Sequence, residues 1–217
     1  MFKIIKKVIN PKYLVITPLK KGDCISPSLT NTIQYNKSYD WISYEGNNNI
    51  PLNTELALKK YESKYEPVKY IIKIDNDIHM QKGMLNKMYN VLSNSKDNIG
   101  YVYVPFKYTL KEQSITFDRE FDKELLIQQN YISSNSMIKR NILEEIGGFV
   151  TDDKYVRLLD WCLWLKMLRY GYIGEKINSF FQTPLNKNNV SAGSTKDYKL
   201  KYDRVKQDFI LPYHKLL

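Results

Sequence analysis

The chain has 217 residues, a formal charge of +10, 43% hydrophobic residues and two cysteines. This length suits one domain with a substantial core, and no stretch reaches the roughly 18 apolar residues of a membrane span. Cys24 and Cys162 lack metal-ligand spacing and read as buried free thiols, which excludes a disulfide framework, while lysines scattered along the chain argue against nucleic-acid binding. Lys6 and Lys7 interrupt the opening residues before an apolar signal region develops, so the protein is expected to be soluble and cytoplasmic.

In chain order, Tyr13-Leu14-Val15-Ile16-Thr17 is a β-branched apolar run ended by Pro18, the first predicted strand. Ser26 or Ser28 caps a helix running to about Tyr35, and Trp41-Ile42-Ser43-Tyr44-Glu45 alternates as a second strand until Gly46 and three asparagines break it. A helix over residues 53–61 follows. Lys69-Tyr70-Ile71-Ile72-Lys73-Ile74 is the clearest central strand, and it runs directly into Asp75-Asn76-Asp77. Residues 83–92 read as a helix and 99–105 as a strand. Residues 107–129 are polar and weakly periodic, a mobile excursion or an irregular helix. Further helices are predicted over residues 137–146, closed by Gly147-Gly148, over 155–170, and over 199–209. Strands alternating with helices predict an α/β fold with a mostly parallel central sheet, which binds ligands beyond the carboxyl ends of its strands.

Two features carry chemistry. Asp75-Asn76-Asp77 sets two carboxylates one residue apart at the end of a buried strand, which suits Mn²⁺ or Mg²⁺ when a substrate diphosphate completes the shell. A turn that only caps the next helix is the plainer explanation, and the position at a strand end favours the metal. The second is Asp160, the only acid of an apolar helix, flanked on the helical wheel by Trp164 and Met167. Burial penalises its charge and raises its pKa toward the range of a general base. An ion pair with Arg157 or the helix dipole would account for it equally.

Taken in order and spacing, Asp75-Asn76-Asp77, Ile132-Ser133-Ser134-Asn135-Ser136-Met137-Ile138, Glu144-Glu145-Ile146-Gly147-Gly148-Phe149 and Leu159-Asp160-Trp161-Cys162-Leu163-Trp164 closely resemble family 2 glycosyltransferases of the GT-A fold. The resemblance spans residues 13–191. It implies a single GT-A catalytic domain over residues 1–217, with a nucleotide-sugar-binding part at 1–105, an acceptor and catalytic part at 106–185 and a tail at 186–217, in a chain compatible with excision from a longer protein.

The resemblance implies these roles. Asp77 becomes the leading metal ligand, and Asp75 a partner to the ribose or the metal. Thr17, Pro18, Glu45, Asn53 and Asn76 join the two aspartates in binding the donor, Glu45 standing at the end of the second strand where the nucleoside is read. Asp160 becomes the general base, with Ser134, Asn135 and Trp161 on the acceptor side. The chain departs from the family where Leu52 replaces the usual arginine, Leu159 the acid before the base, and Asn186 the tail histidine. His79 reads as a solvent-facing residue at a helix start, and His214 lies near the end of the chain. Lys73 and Lys187 are among the rim lysines that would help neutralise the diphosphate.

The reaction so implied is an inverting, metal-assisted transfer from a UDP-sugar, or another nucleotide sugar, to a glycan or to a lipid-linked or protein-linked glycan. A nucleotidyltransferase using the same carboxylates and a noncatalytic binder of sugar nucleotides or polyanions are the competing readings.

Overall fold

A computed structural model describes residues 1–46, 49–110, 113–184 and 195–210. The main sheet has seven strands, in the order β1 (Phe2–Lys6), β3 (Tyr39–Gly46), β2 (Tyr13–Lys20), β4 (Tyr70–Lys73), β9 (Met137–Lys139), β6 (Ile99–Tyr103) and β10 (Ile173–Lys176). A second sheet of four strands runs β5 (His79–Met80), β11 (Phe181–Pro184), β7 (Phe106–Leu110), β8 (Gln113–Phe117). The helices are α1 (Pro27–Ile33), α2 (Ile50–Glu62), α3 (Met84–Ser93), α4 (Lys123–Gln128), α5 (Arg140–Glu145), α6 (Leu159–Arg169) and α7 (Thr195–Val205), the last running into a wider turn at Lys206–Ile210.

The apolar run at Tyr13 places β2 between β3 and β4, parallel to both. Alternation along an extended chain sends successive side chains to opposite faces. Leu14 and Ile16 accordingly pack with Ala57 and Tyr61 of α2 and with Trp161 and Trp164 of α6. Tyr13 and Val15 pack on the other face with Leu29 and Ile33 of α1 and Leu85 and Met88 of α3. Helices cover both faces, which is why this strand reads as an unbroken apolar run.

Several elements differ from the sequence expectation. The sheet is mostly parallel as expected, with β3, β2, β4, β6 and β10 in one direction, but it is mixed, because β9 pairs antiparallel with both β4 and β6, and β1 antiparallel with β3. β9 occupies the start of the helix expected over residues 137–146. Its three residues are too few to show a period, and their strand conformation comes from neighbours distant in sequence. Pro18 does not end β2, which continues to Lys20 beside Gly46 of β3. Pairing with β4 stops at Ile16 and Lys73, so Pro18 has a strand neighbour on one side only, and its missing N–H leaves no ladder bond unmade.

The stretch over residues 107–129 is neither excursion nor irregular helix. It forms the β7–β8 hairpin, in which Phe106 stacks on Phe117 with centroids 4.6 Å apart, followed by α4. Residues 155–158 do not belong to the helix of Asp160: Asp153–Tyr155 is a 3₁₀ turn, Arg157 has φ 82°, and α6 begins at Leu159. The last helix begins at Thr195, earlier than expected. Cys24 is exposed and Cys162 buried, both as free thiols, so the expectation of burial fails for Cys24, which sits in the loop before α1. His79 is exposed as expected but lies in β5, not at a helix start. Among the described residues no helix is long and apolar enough to cross a membrane.

Gly174 of β10 is packed tightly against an aromatic ring. A Cβ there would lie 2.5 Å from the ring of Tyr101, which is fully buried and stacked on Trp164 at 4.3 Å. Gly174→Ala is therefore expected to cost about 1–3 kcal/mol and lower the thermal midpoint by several degrees. Calorimetry that finds an unchanged midpoint would show that the Tyr101 ring can move aside.

Candidate functional site

Lys73 is the last residue of β4 and Asp75 follows two residues later. On an extended backbone the two share a face, and Lys73 Nζ donates to Asp75 Oδ1 at 2.6 Å. The antiparallel pairing of β4 with β9 ends at Ile72 and Met137, which brings Asn135 of the preceding turn alongside Asp75. Asn135 is buried and grips Asp75 twice: its Nδ2 donates to Asp75 Oδ2 at 3.0 Å, and its Oδ1 accepts the Asp75 N–H at 2.7 Å. Ser133 Oγ in turn accepts from the Asn135 backbone N–H and Nδ2, both at 3.1 Å. Lys73 Nζ also donates to Ser134 Oγ at 2.6 Å. The serine-rich turn expected on the acceptor side is thus bound to the first aspartate of the motif.

The other two residues of the motif face elsewhere. Asn76 Oδ1 accepts the Ser26 N–H at 2.8 Å, its Nδ2 donates to Cys24 O at 2.8 Å, and its carbonyl accepts the Ser26 hydroxyl. Since Ser26 also caps α1, Asn76 locks the loop after β2 onto the end of β4. Asp77 has its carboxyl pushed above the ordinary value first by burial and then by the Asp75 charge. Its own backbone, the Lys73 ammonium and the Thr183 hydroxyl of β11 oppose that rise.

Asp160 lies in the first turn of α6, where the helix dipole favours an acid, and its Oδ1 accepts the Trp161 N–H at 2.9 Å. Burial raises its pKa, against the Trp161 N–H, the Lys73 charge and a bond from the Asn130 side chain. Asp77 and Asp160, 83 residues apart in the chain, therefore sit within the field of one ammonium. Tyr198 of α7 completes the surroundings: its phenol feels the Asp160 charge, and the Arg157 guanidinium lies over its ring at 5.2 Å.

The remaining expected contacts serve as supports. Thr17 is buried and its hydroxyl accepts the Trp41 indole N–H at 3.0 Å, with Pro18 buried beside it. Glu45 Oε1 accepts the Gly22 N–H at 2.9 Å, which holds its carboxyl below the usual range. Asn53 is buried against Gly46, where a Cβ would meet its Oδ1 at 2.2 Å, and it donates to Leu19 O at 3.3 Å. These residues brace the ends of β2 and β3. Trp161 does not offer a face to an acceptor. It is fully buried, its indole N–H donates to Leu126 O at 2.6 Å, and its ring stacks on Tyr202 at 5.1 Å, which corrects the acceptor-side expectation. Asn186, Lys187 and His214 lie outside the described residues.

Sequence reasoning placed Lys73 at the rim, whereas it is 8% exposed and central. The signal was present: a lysine between two isoleucines of the most apolar strand must be paired. Asn130, Thr183 and Tyr198 carried no such signal, since each arrives from a distant segment.

Among the described residues no three His, Cys, Asp or Glu side chains gather as a metal group. Each oxygen of Asp75 accepts one hydrogen bond and keeps a further lone pair, so Asp75 and Asp77, with substrate phosphates, are the carboxylates that could hold Mn²⁺ or Mg²⁺. A groove of about 460 Å³ walled by Tyr35, His79 and Phe180, and another of about 560 Å³ beside Asp118 and Leu125, include none of the three aspartates.

The architecture is the GT-A fold, an α/β fold with a mixed central sheet flanked by helices. It is similar to S. aureus TarS residues 1–349 in complex with UDP, with 11% identity and a TM-score of 0.58, covering 92% of this chain and 66% of that one. The TarS 1–349 structure gives 10% identity and a TM-score of 0.60, covering 90% of this chain and 64% of that one. The UDP-GlcNAc complex gives 10% and 0.59, covering 92% and 67%. The chain thus spans about two thirds of the length of these structures. No protein-family model and no curated protein sequence matches it.

A carboxyl whose pKa is raised by folding holds its proton more tightly folded than unfolded, so stability falls as pH rises from the ordinary value of 3.8 through the raised one. Asp160→Asn removes this penalty. In chelator at about pH 7 the variant is expected to melt above the wild type, with the gap closing as pH falls toward 3.8. A gap of equal size across that range would overturn the burial account of Asp160.

Proposed function

We propose that this chain is a glycosyltransferase that moves a hexose from a nucleotide diphosphate, with UDP as the preferred carrier, to an acceptor hydroxyl with inversion. The observation that supports it most is the meeting of the Asp75-Asn76-Asp77 strand end and Asp160 around Lys73. It occurs in a fold shared with a protein solved with UDP and with UDP-GlcNAc.

In this reading Asp160 receives the proton of the attacking hydroxyl as that oxygen bonds to the anomeric carbon and the bond to the diphosphate breaks. A carboxylate whose pKa is raised by burial is a stronger base than a solvated one, and the fixed position at the head of α6 keeps it oriented. Asp77 holds the divalent ion, Mn²⁺ or Mg²⁺, which when bound supplies neutralisation of charge on the departing diphosphate. Thr17, Pro18, Glu45, Asn53 and Asn76 keep the strand ends and the loop after β2 in place beneath the donor. Asn135 and Ser134 hold the turn that separates donor from acceptor. The acceptor is a glycan, free or linked to lipid or protein.

The test needs no knowledge of the acceptor, because water can take its place. In a screen of nucleotide sugars with Mn²⁺, the wild type is expected to hydrolyse one donor slowly. Asp160→Asn should lower that rate by about 100-fold or more while UDP affinity stays within a few fold. Failure of UDP to bind under any metal condition would end this reading, and normal hydrolysis by Asp160→Asn would remove Asp160 as the base.

A further inference from the structure

We propose that Lys73 is the resident cation of the donor site, so that part of the affinity for a nucleoside diphosphate is independent of any divalent ion. This rests on the sugar-transfer reading above and adds to it a second, built-in source of positive charge.

Asp75, Asp77 and Asp160 all stand near Lys73, and unscreened they would repel an anionic diphosphate. Lys73 is the counter-charge that the fold supplies. Its Nζ donates to Asp75 Oδ1 and Ser134 Oγ, both at 2.6 Å, which accounts for two of the three ammonium hydrogens. Its backbone is fixed opposite Ile16 of β2 at the end of a central strand, so the charge is positioned before any ligand arrives. Its field also reaches Asp77 and Asp160.

The same geometry distinguishes the two acids of the motif. Each oxygen of Asp75 already accepts a hydrogen bond, from Lys73 or from Asn135, and in this reading Asp77 is the leading ligand of the divalent ion. Donor affinity is accordingly the sum of a metal-dependent part through Asp77 and a metal-independent part through Lys73. At side-chain distances in a partly buried site, loss of one such charge lowers anion affinity by about tenfold or more.

The test is calorimetric titration of UDP into the wild type, Lys73→Met and Lys73→Arg, each in EDTA and in Mn²⁺, with thermal melts to verify folding. The wild type is expected to bind UDP in EDTA, more weakly than in Mn²⁺. Lys73→Met, close in length and uncharged, is expected to lose about tenfold or more in EDTA and less in Mn²⁺, and Lys73→Arg to keep most of the metal-free affinity. Metal-free binding by the wild type should also weaken as KCl rises. Equal affinity of Lys73→Met and wild type in EDTA, no metal-free binding by the wild type, or a folded Lys73→Arg as weak as Lys73→Met would each overturn the proposal. UDP binding in Mn²⁺ would in those cases leave the sugar-transfer reading standing. Should Lys73→Met fail to fold, metal-free affinity of the wild type that is insensitive to KCl overturns it instead. Absence of UDP binding with or without Mn²⁺ would remove both.

Discussion

The clamp on Asp75 is the interaction on which the site depends. One carboxylate joins β4, through Lys73, to the turn before β9, through Asn135, and so joins the segments that precede and follow the β7–β8 hairpin. Hydrogen bonds to charged groups contribute about 1.5–3 kcal/mol each, and leaving one partner of such a buried set unmatched costs more than the bond was worth. The side chains are therefore mutually obligatory. Neither the lysine nor the asparagine would sit well in this sheet without the aspartate between them.

A second set of ties holds α2 against the later half of the chain. Asn49, which caps α2, donates to Thr151 O at 2.6 Å and to Asp153 Oδ1 at 2.7 Å. Glu55 accepts the Phe149 N–H at 3.4 Å, next to Gly147 and Gly148, both at φ near 80°. Such values are accessible to glycine at little cost. The Gly-Gly-Phe turn is thus an anchor for α2 as well as the stop of α5, and it sets where the chain enters the 3₁₀ turn that leads to Asp160.

The sequence was informative where a residue's type conflicted with its local surroundings. β2 and β4 were visible as β-branched apolar runs and β3 by its alternation, the Asp-Asn-Asp motif stood out because it ended the most apolar strand, and Asp160 because it was the lone acid on an apolar helix. Where the conformation is imposed from afar, local pattern failed. Met137-Ile138-Lys139 becomes a strand only because β4 and β6 leave a slot for it, and Phe106, Tyr108 and Phe117 alternate correctly but within a stretch otherwise polar. Trp161 stands beside Asp160 in the chain, yet a helix turns neighbouring side chains about 100° apart, so one faces the site and the other the core. Resemblance to a motif placed both on the same side; burial separated them.

The stacking of Tyr202 on Trp161, with its hydroxyl donating to Gln128 O, pins α7 across the end of α6. Tyr198, one turn earlier on that helix, consequently stands near the aspartate at the head of α6. The neighbour of Asp160 on this side is thus a polar late helix of low hydropathy, attached through the Tyr202 ring. If the proposed sugar transfer holds, substitutions on the outer turns of that helix would alter the surroundings of Asp160 without disturbing the strands beneath.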